Sequence, residues 1–160
     1  MGMVFEARML AATRAEEVAA DPALLEDLVE EDTSGEEFLD LDKAWHGLHW
    51  LLTGTTDDAS TPAGQAVLGG TELGEDWGYG PPRLLRPDDV RRVAGALDAL
   101  TADDLRARFD PAAMTAADVY PFIWDEDDVF DEYLAPSYGS LRDFYARAAS
   151  RGDAVLAVVT

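Results

Sequence analysis

The last apolar run of the chain, Ala154 to Val159 (AVLAVV), is continuous, largely β-branched and uncharged. Such a run reads as a strand buried on both faces, so it needs other strands beside it and packed layers above and below. Near the other end, Met3 to Leu10 alternates small or polar residues with large apolar ones, the pattern of a half-buried strand. These two strands are expected to lie together in one small sheet.

Between them the sequence reads mostly as helix. Thr13 is placed to cap a helix running to Ala20, with Glu16 in the capping-box position. Pro22 opens a second helix carrying Leu24, Leu25, Leu28 and Val29, and Glu30 to Glu37 reads as an acidic loop. Asp40 to Thr53 is the best-defined helix, closed by Gly54. Thr61-Pro62 starts a short helix to Leu68, Gly69 to Pro82 is an irregular packed loop, and Arg83 to Arg86 is a short strand. Pro87, followed by Asp88 and Asp89, begins a helix to Leu100, and Thr101 caps another to Phe109. Asp118 to Trp124 reads as a strand or extended segment that Pro121 pushes to an edge. Asp125 to Leu134 and Gly139 to Ser150 are two helical stretches broken at Pro136, with Gly152 closing the second. The fold class is therefore α+β: a single domain over residues 1–160, with a small central sheet of about three or four strands flanked by several helices.

The formal charge of −21 over 160 residues leaves no basic stripe to displace counterions, so nucleic acid is not an expected partner. Without cysteine there is no disulfide framework, no thiolate metal site and no thiol nucleophile. The opening MGMVFEARML has no basic segment and interrupts its apolar residues with Glu6 and Arg8, unlike a signal peptide. No apolar run approaches the ~20 residues of a membrane helix, so no membrane partner is expected and the cytoplasm is the expected location. Eleven of the twelve basic residues are Arg, with Lys43 the lone lysine. That bias fits high-GC codon usage or a salt-adapted proteome. Alternatively, the acidity serves a basic protein partner, because a surface of one sign steers the opposite one.

Both histidines fall in one helical turn. On a helical wheel, Leu41, Ala44, Trp45, Leu48, Leu51 and Leu52 form the core stripe, while Asp42, His46, His49 and Thr53 gather opposite, flanked by Trp45 and Trp50. Three roles fit this arrangement. In the first, Asp42 stabilises the helix N-terminus and pairs with His46, while His49 packs beside Trp45 and makes a fixed hydrogen bond. In the second, the two indoles wall a polar binding face. In the third, the histidines chelate a metal, but no third ligand is identifiable and the Glu of an HExxH motif is absent, so no metal and no cofactor are expected. The binding residues singled out are Asp42, Lys43, Trp45, His46, His49, Trp50 and Trp124. No catalytic residue is assigned. The acidic run after Trp124 lacks the Gly of an EF-hand, Gly74 to Gly80 is not followed by the Gly-Lys-Ser/Thr of a phosphate loop, and no serine sits in a G-x-S-x-G elbow.

Several stretches in order along the chain resemble one family. They are MGM at the start, LDLDKAWHGLHWLLTG (Leu39 to Gly54), AVLGG (Ala66 to Gly70), VYP (Val119 to Pro121) and FYARAASRGDAVL (Phe144 to Leu156). Together they look like the YfbM-like family of small bacterial proteins, a domain of unknown function. Its D-x-D-K-x-W-x-x-L-H block is matched by Asp40, Asp42, Lys43, Trp45, Leu48 and His49, with His46 outside the pattern. The resemblance implies a single α+β domain with a small central sheet, and it brings no catalytic residues. Two functions are therefore carried forward. One is a non-catalytic binding module, accessory or immunity-like, whose acidic surface takes a basic partner; the other is a small-molecule-binding protein or enzyme using the Asp42/His46/His49 face.

Overall fold

A computed structural model describes residues 2–31 and 35–160, so Asp32 to Ser34 of the expected acidic loop lie outside the described residues. A five-stranded antiparallel sheet has the order β2-β1-β5-β4-β3, with β1 at Phe5–Leu10, β2 at Phe38–Asp42, β3 at Thr71–Glu72, β4 at Arg83–Leu85 and β5 at Ala154–Val159. The terminal strands pair as expected, in a register that runs from Phe5 opposite Val159 to Leu10 opposite Ala154. β5 lies between β1 and β4 and is buried on both faces. On one face Phe5, Ala7, Met9, Val155, Ala157 and Val159 join the main core. On the other, Leu10, Leu84, Ala154 and Leu156 pack against Ala15, Val18, Leu25 and Leu28 of two N-terminal helices.

Those helices are α1 (Ala12–Ala20) and α2 (Leu24–Glu30). Thr13 does not cap α1: the cap is Ala11, no side chain bonds to it, and Glu16 turns instead to Arg86 at 2.8 Å. The main core is covered by α3 (Trp45–Thr53), α4 (Pro62–Leu68), α5 (Pro87–Asp98), α6 (Ala102–Arg108), α7 (Pro111–Ala116) and α8 (Ala135–Arg151). Pro87 occupies the first turn of α5, and Thr101 and Asp104 close a reciprocal capping box on α6. Gly54 and Gly152 end α3 and α8 in left-handed conformation, as their places in the sequence predict. Among the described residues no helix is long and apolar enough to cross a membrane.

Four further expectations are corrected. The sheet has five strands rather than three or four, because Phe38–Asp42 is a strand and Thr71–Glu72 adds a short edge. The segment Asp118 to Trp124 is not a strand. It is a series of turns around a cis Tyr120–Pro121 bond, with Asp118 and Phe122 at positive φ. Pro136 breaks nothing: a single π turn at Phe130–Leu134, in which the Ala135 N–H bonds back to the Phe130 carbonyl five residues earlier, runs directly into α8 and carries the helix through the proline. Helix also starts at Phe130 rather than Asp125.

Candidate functional site

The block that carries both histidines begins as strand. In β2, Leu39 and Leu41 face the core while Asp40 and Asp42 face out. The chain then turns at Asp42 (φ 48°), whose N–H donates to Asp40 Oδ1 at 2.7 Å, and α3 starts at Trp45. Asp42 is therefore not on the helix and does not pair with His46. Its Oδ2 accepts the Tyr133 hydroxyl at 2.9 Å, and that same oxygen of Tyr133 accepts the Lys43 N–H at 3.1 Å. Burial first, and the Asp42 carboxylate second, push the Tyr133 hydroxyl well above its ordinary pKa.

α3 has no solvated polar face. Besides Trp45, Leu48, Leu51 and Leu52, it buries Gly47 and His49, and only His46, Trp50 and Thr53 reach even intermediate exposure. The loop from Gly54 to Thr61 folds back over the polar line. Thr53 Oγ1 donates to the His49 carbonyl at 2.8 Å and accepts the Thr55 N–H at 3.0 Å. Gly64 of α4 comes so close that a Cβ there would sit 2.9 Å from both the Asp58 carbonyl and Thr53 Cγ2.

His46 is fully engaged. Its Nδ1 accepts the Tyr120 N–H at 2.9 Å, so the proton is on Nε2, which donates to the Thr56 carbonyl at 3.0 Å. Trp45 stacks on the imidazole at 4.8 Å, and its indole N–H donates to the Met3 carbonyl at 2.9 Å. The Tyr120 hydroxyl in turn accepts the Met3 N–H at 3.0 Å. Burial lowers the His46 pKa, against opposing pulls from the Thr56 carbonyl and Asp57.

His49 is 0% exposed, and neither ring nitrogen has a hydrogen-bond partner among the described residues. The Asp58 backbone lies near enough to favour the charged ring, but the fixed hydrogen bond expected of His49 does not reach full hydrogen-bonding geometry. Burial first, then the neighbouring His46, push its pKa down to about 4, although Asp57 and Asp58 favour the charged form. It is a neutral residue at physiological pH.

The remaining two residues lie apart. Trp124 is buried, donates its indole N–H to the Val119 carbonyl at 2.7 Å, and lays its ring on Gly47. Trp50 faces the other way, lining an open groove of about 540 Å³ with Gly54, Arg108, Asp110 and Ala113. The structure thus brings Trp45, His46 and Tyr120 together, sets Asp42 and Lys43 on Tyr133, seals His49, and separates Trp50 from Trp124. Tyr120 and Tyr133 were not singled out in the sequence. The tyrosine of the VYP stretch was the one available signal. Among the described residues no three His, Asp or Glu side chains are arranged to hold a metal ion.

A small antiparallel sheet layered between helices, with the block from Asp40 to His49 passing from an edge strand into a buried helix, is the α+β architecture of this chain. The chain belongs to the family described as a domain of unknown function, DUF1877, whose model matches residues 1–158. It is similar to Protein YfbM of Escherichia coli (strain K12), with 29% identity over 141 residues that cover 84% of each chain. The crystal structure of YfbM from Escherichia coli, a protein of unknown function, has the same fold. It superposes with a TM-score of 0.76 at 22% identity, covering 99% of this chain and 100% of that one.

Proposed function

We propose that this protein is a non-catalytic binding module that takes a basic protein partner on an acidic surface centred on the segment Tyr120 to Asp128. The observation that carries the reading is the imbalance of charge pairing. Seven of the arginines are in ion pairs with acidic side chains within the described residues. By contrast, Asp125, Glu126, Asp127 and Asp128 are all exposed and make no ion pair among those residues. Directly before them Phe122 is 58% exposed at φ 72°, its ring edge-on to Tyr120. An apolar anchor beside an unpaired anionic run suits a partner that offers cations around a hydrophobic pocket.

The closure of the histidine helix favours binding over small-molecule chemistry at that face, since His46 has no free ring nitrogen and His49 no route to solvent. The test is affinity capture from host lysate, with wild-type protein beside a variant carrying Phe122→Ala and all four acids, Asp125 to Asp128, changed to Asn or Gln. A basic protein retained by wild type should be lost by the variant. It should also elute steeply as salt rises past the ~0.1 M at which exposed charges are screened beyond about 10 Å. Identical captured proteins for both baits, or binding indifferent to salt, overturn the reading.

A further inference from the structure

Two segments of the chain are joined through the His46 ring, which is half-buried on α3. Its Nε2–H donates to the Thr56 carbonyl of the loop that covers the helix. Its Nδ1 accepts the Tyr120 N–H, at the start of the segment that carries Phe122 and the exposed acids. Among the described residues this is the only hydrogen bond between α3 and the stretch from Tyr120 to Ile123. Tyr120 passes the fixation on, because its ring lies edge-on to Phe122 at 6.2 Å while its hydroxyl accepts the Met3 N–H. The next fixed points are Val119 and Trp124, both buried and joined by the indole bond to the Val119 carbonyl. The stretch between them can therefore move without opening the core.

An imidazole serves this junction only while it is neutral. Donating from Nε2 and accepting at Nδ1 uses one ring proton, whereas an imidazolium carries N–H on both nitrogens and has no acceptor. A proton on Nδ1 sets two N–H groups against each other across 2.9 Å, so the Tyr120 bond is lost while the Thr56 bond is kept. The titratable groups that act on the ring come from two elements. Asp57 of the covering loop favours the imidazolium, and His49 on α3 is a base that His46 itself holds down. The turn segment meets the ring with the Tyr120 N–H, and Trp45 meets it with a stacked indole, neither of them charged. Burial opposes protonation in the closed form, so proton uptake favours the form in which Tyr120 is released.

We infer that His46 is a proton-operated latch on the stretch from Tyr120 to Ile123: the neutral ring fixes Tyr120 and, through it, the exposed Phe122 ring, and the protonated ring releases both. Its consequence for docking rests on the reading that this segment is the partner surface. The protein then holds its partner at neutral pH and releases it as the medium acidifies.

Amide exchange followed by NMR at pH 7.0 and pH 5.0, with rates corrected for the intrinsic effect of pH, tests the latch. The Tyr120 N–H should lose protection by about tenfold at pH 5.0, inside the roughly thirtyfold ceiling that a base of ordinary pKa 6.5 sets there. In wild type the loss should share its midpoint with protonation of the His46 ring, read from the ring nitrogen shifts. His46→Asn puts an oxygen acceptor at the place of Nδ1 without a titratable group, and should keep Tyr120 equally protected at both pH values. Protection that stays constant in wild type, follows a different midpoint, or falls as far in His46→Asn overturns the inference. So does Tyr120 protection equal to that of the β1–β5 ladder at both pH values, the sign of global unfolding rather than a local release. Capture of a basic protein from host lysate at the same two pH values separates the latch from its consequence. Retention lost at pH 5.0 by wild type but not by His46→Asn supports both, and retention unchanged in wild type despite release of Tyr120 overturns the control of docking. Capture of nothing at pH 7.0 overturns the docking reading, and the amide data still decide the latch.

Discussion

Gly47 and Trp124 fit together as a flat backbone patch and the ring that lies on it. A Cβ on Gly47 would come to 3.0 Å from Trp124 Cζ2 and Cζ3 and still closer to Cη2. Glycine inside a helix costs about 1 kcal/mol relative to alanine, so its use in mid-α3 needs a packing reason, and the indole supplies one. Gly47→Ala should therefore destabilise the protein despite the gain in helix propensity, because overpacking costs about 1–3 kcal/mol. Trp124→Ala should cost about 3–5 kcal/mol by deleting a buried aromatic. Adding Gly47→Ala to Trp124→Ala should then be neutral or stabilising. Urea midpoints of the three variants check the cycle, and simple additivity would show that the two residues are not coupled.

Trp45 is 7% exposed and joins α3 to the start of the chain through its bond to the Met3 carbonyl. Trp45→Ala is expected to lower stability by about 3–5 kcal/mol, the range for a buried aromatic, in chemical denaturation. A midpoint that barely moves would place the ring outside the core.

Local patterns made much of this fold legible. The uncharged Ala154 to Val159 run and the alternation before Leu10 marked the paired terminal strands. Proline and aspartates marked the start of α5, and Thr101 marked the cap of α6. The β2–α3 junction was not legible, because in LDLDKAW the residues Leu41, Ala44 and Trp45 satisfy a helical stripe while Leu39, Asp40, Leu41 and Asp42 satisfy strand alternation. The partners of the histidine block were beyond local reading. Tyr120 reaches His46 across 74 residues and Tyr133 reaches Asp42 across 91, and no periodicity encodes such pairings.

His46 should exist at neutral pH as the single tautomer protonated on Nε2, since Nδ1 is occupied as an acceptor by the Tyr120 N–H. Long-range nitrogen–proton NMR correlations report the tautomer directly, and a mixture would contradict the hydrogen-bond assignment. His46→Ala strands the Tyr120 N–H and the Thr56 carbonyl together, and should cost about 1–3 kcal/mol for each group left unsatisfied.

His49 should make stability depend on pH in a defined window. Its pKa falls from an unfolded value of 6.5 to about 4 in the fold, so the unfolded chain binds the proton more readily. Its contribution is therefore full above about pH 6.5, declines as pH falls toward 4, and levels off below, amounting to about 3 kcal/mol at most. The lowered pKa of His46 acts in the same direction. Because carboxylates titrate in the same region, the informative quantity is the difference between wild type and His49→Leu, which keeps much of the buried volume and removes both unpartnered nitrogens. Urea unfolding at pH 7.0 and pH 4.5 should show a smaller pH-dependent loss in the variant. At pH 7.0 the variant should be as stable as wild type or more so, since a buried polar atom without a partner costs about 1–3 kcal/mol. Equal pH slopes would mean that His49 gains a partner or solvent in the folded protein. A marked loss at pH 7.0 would mean that its nitrogens are bonded.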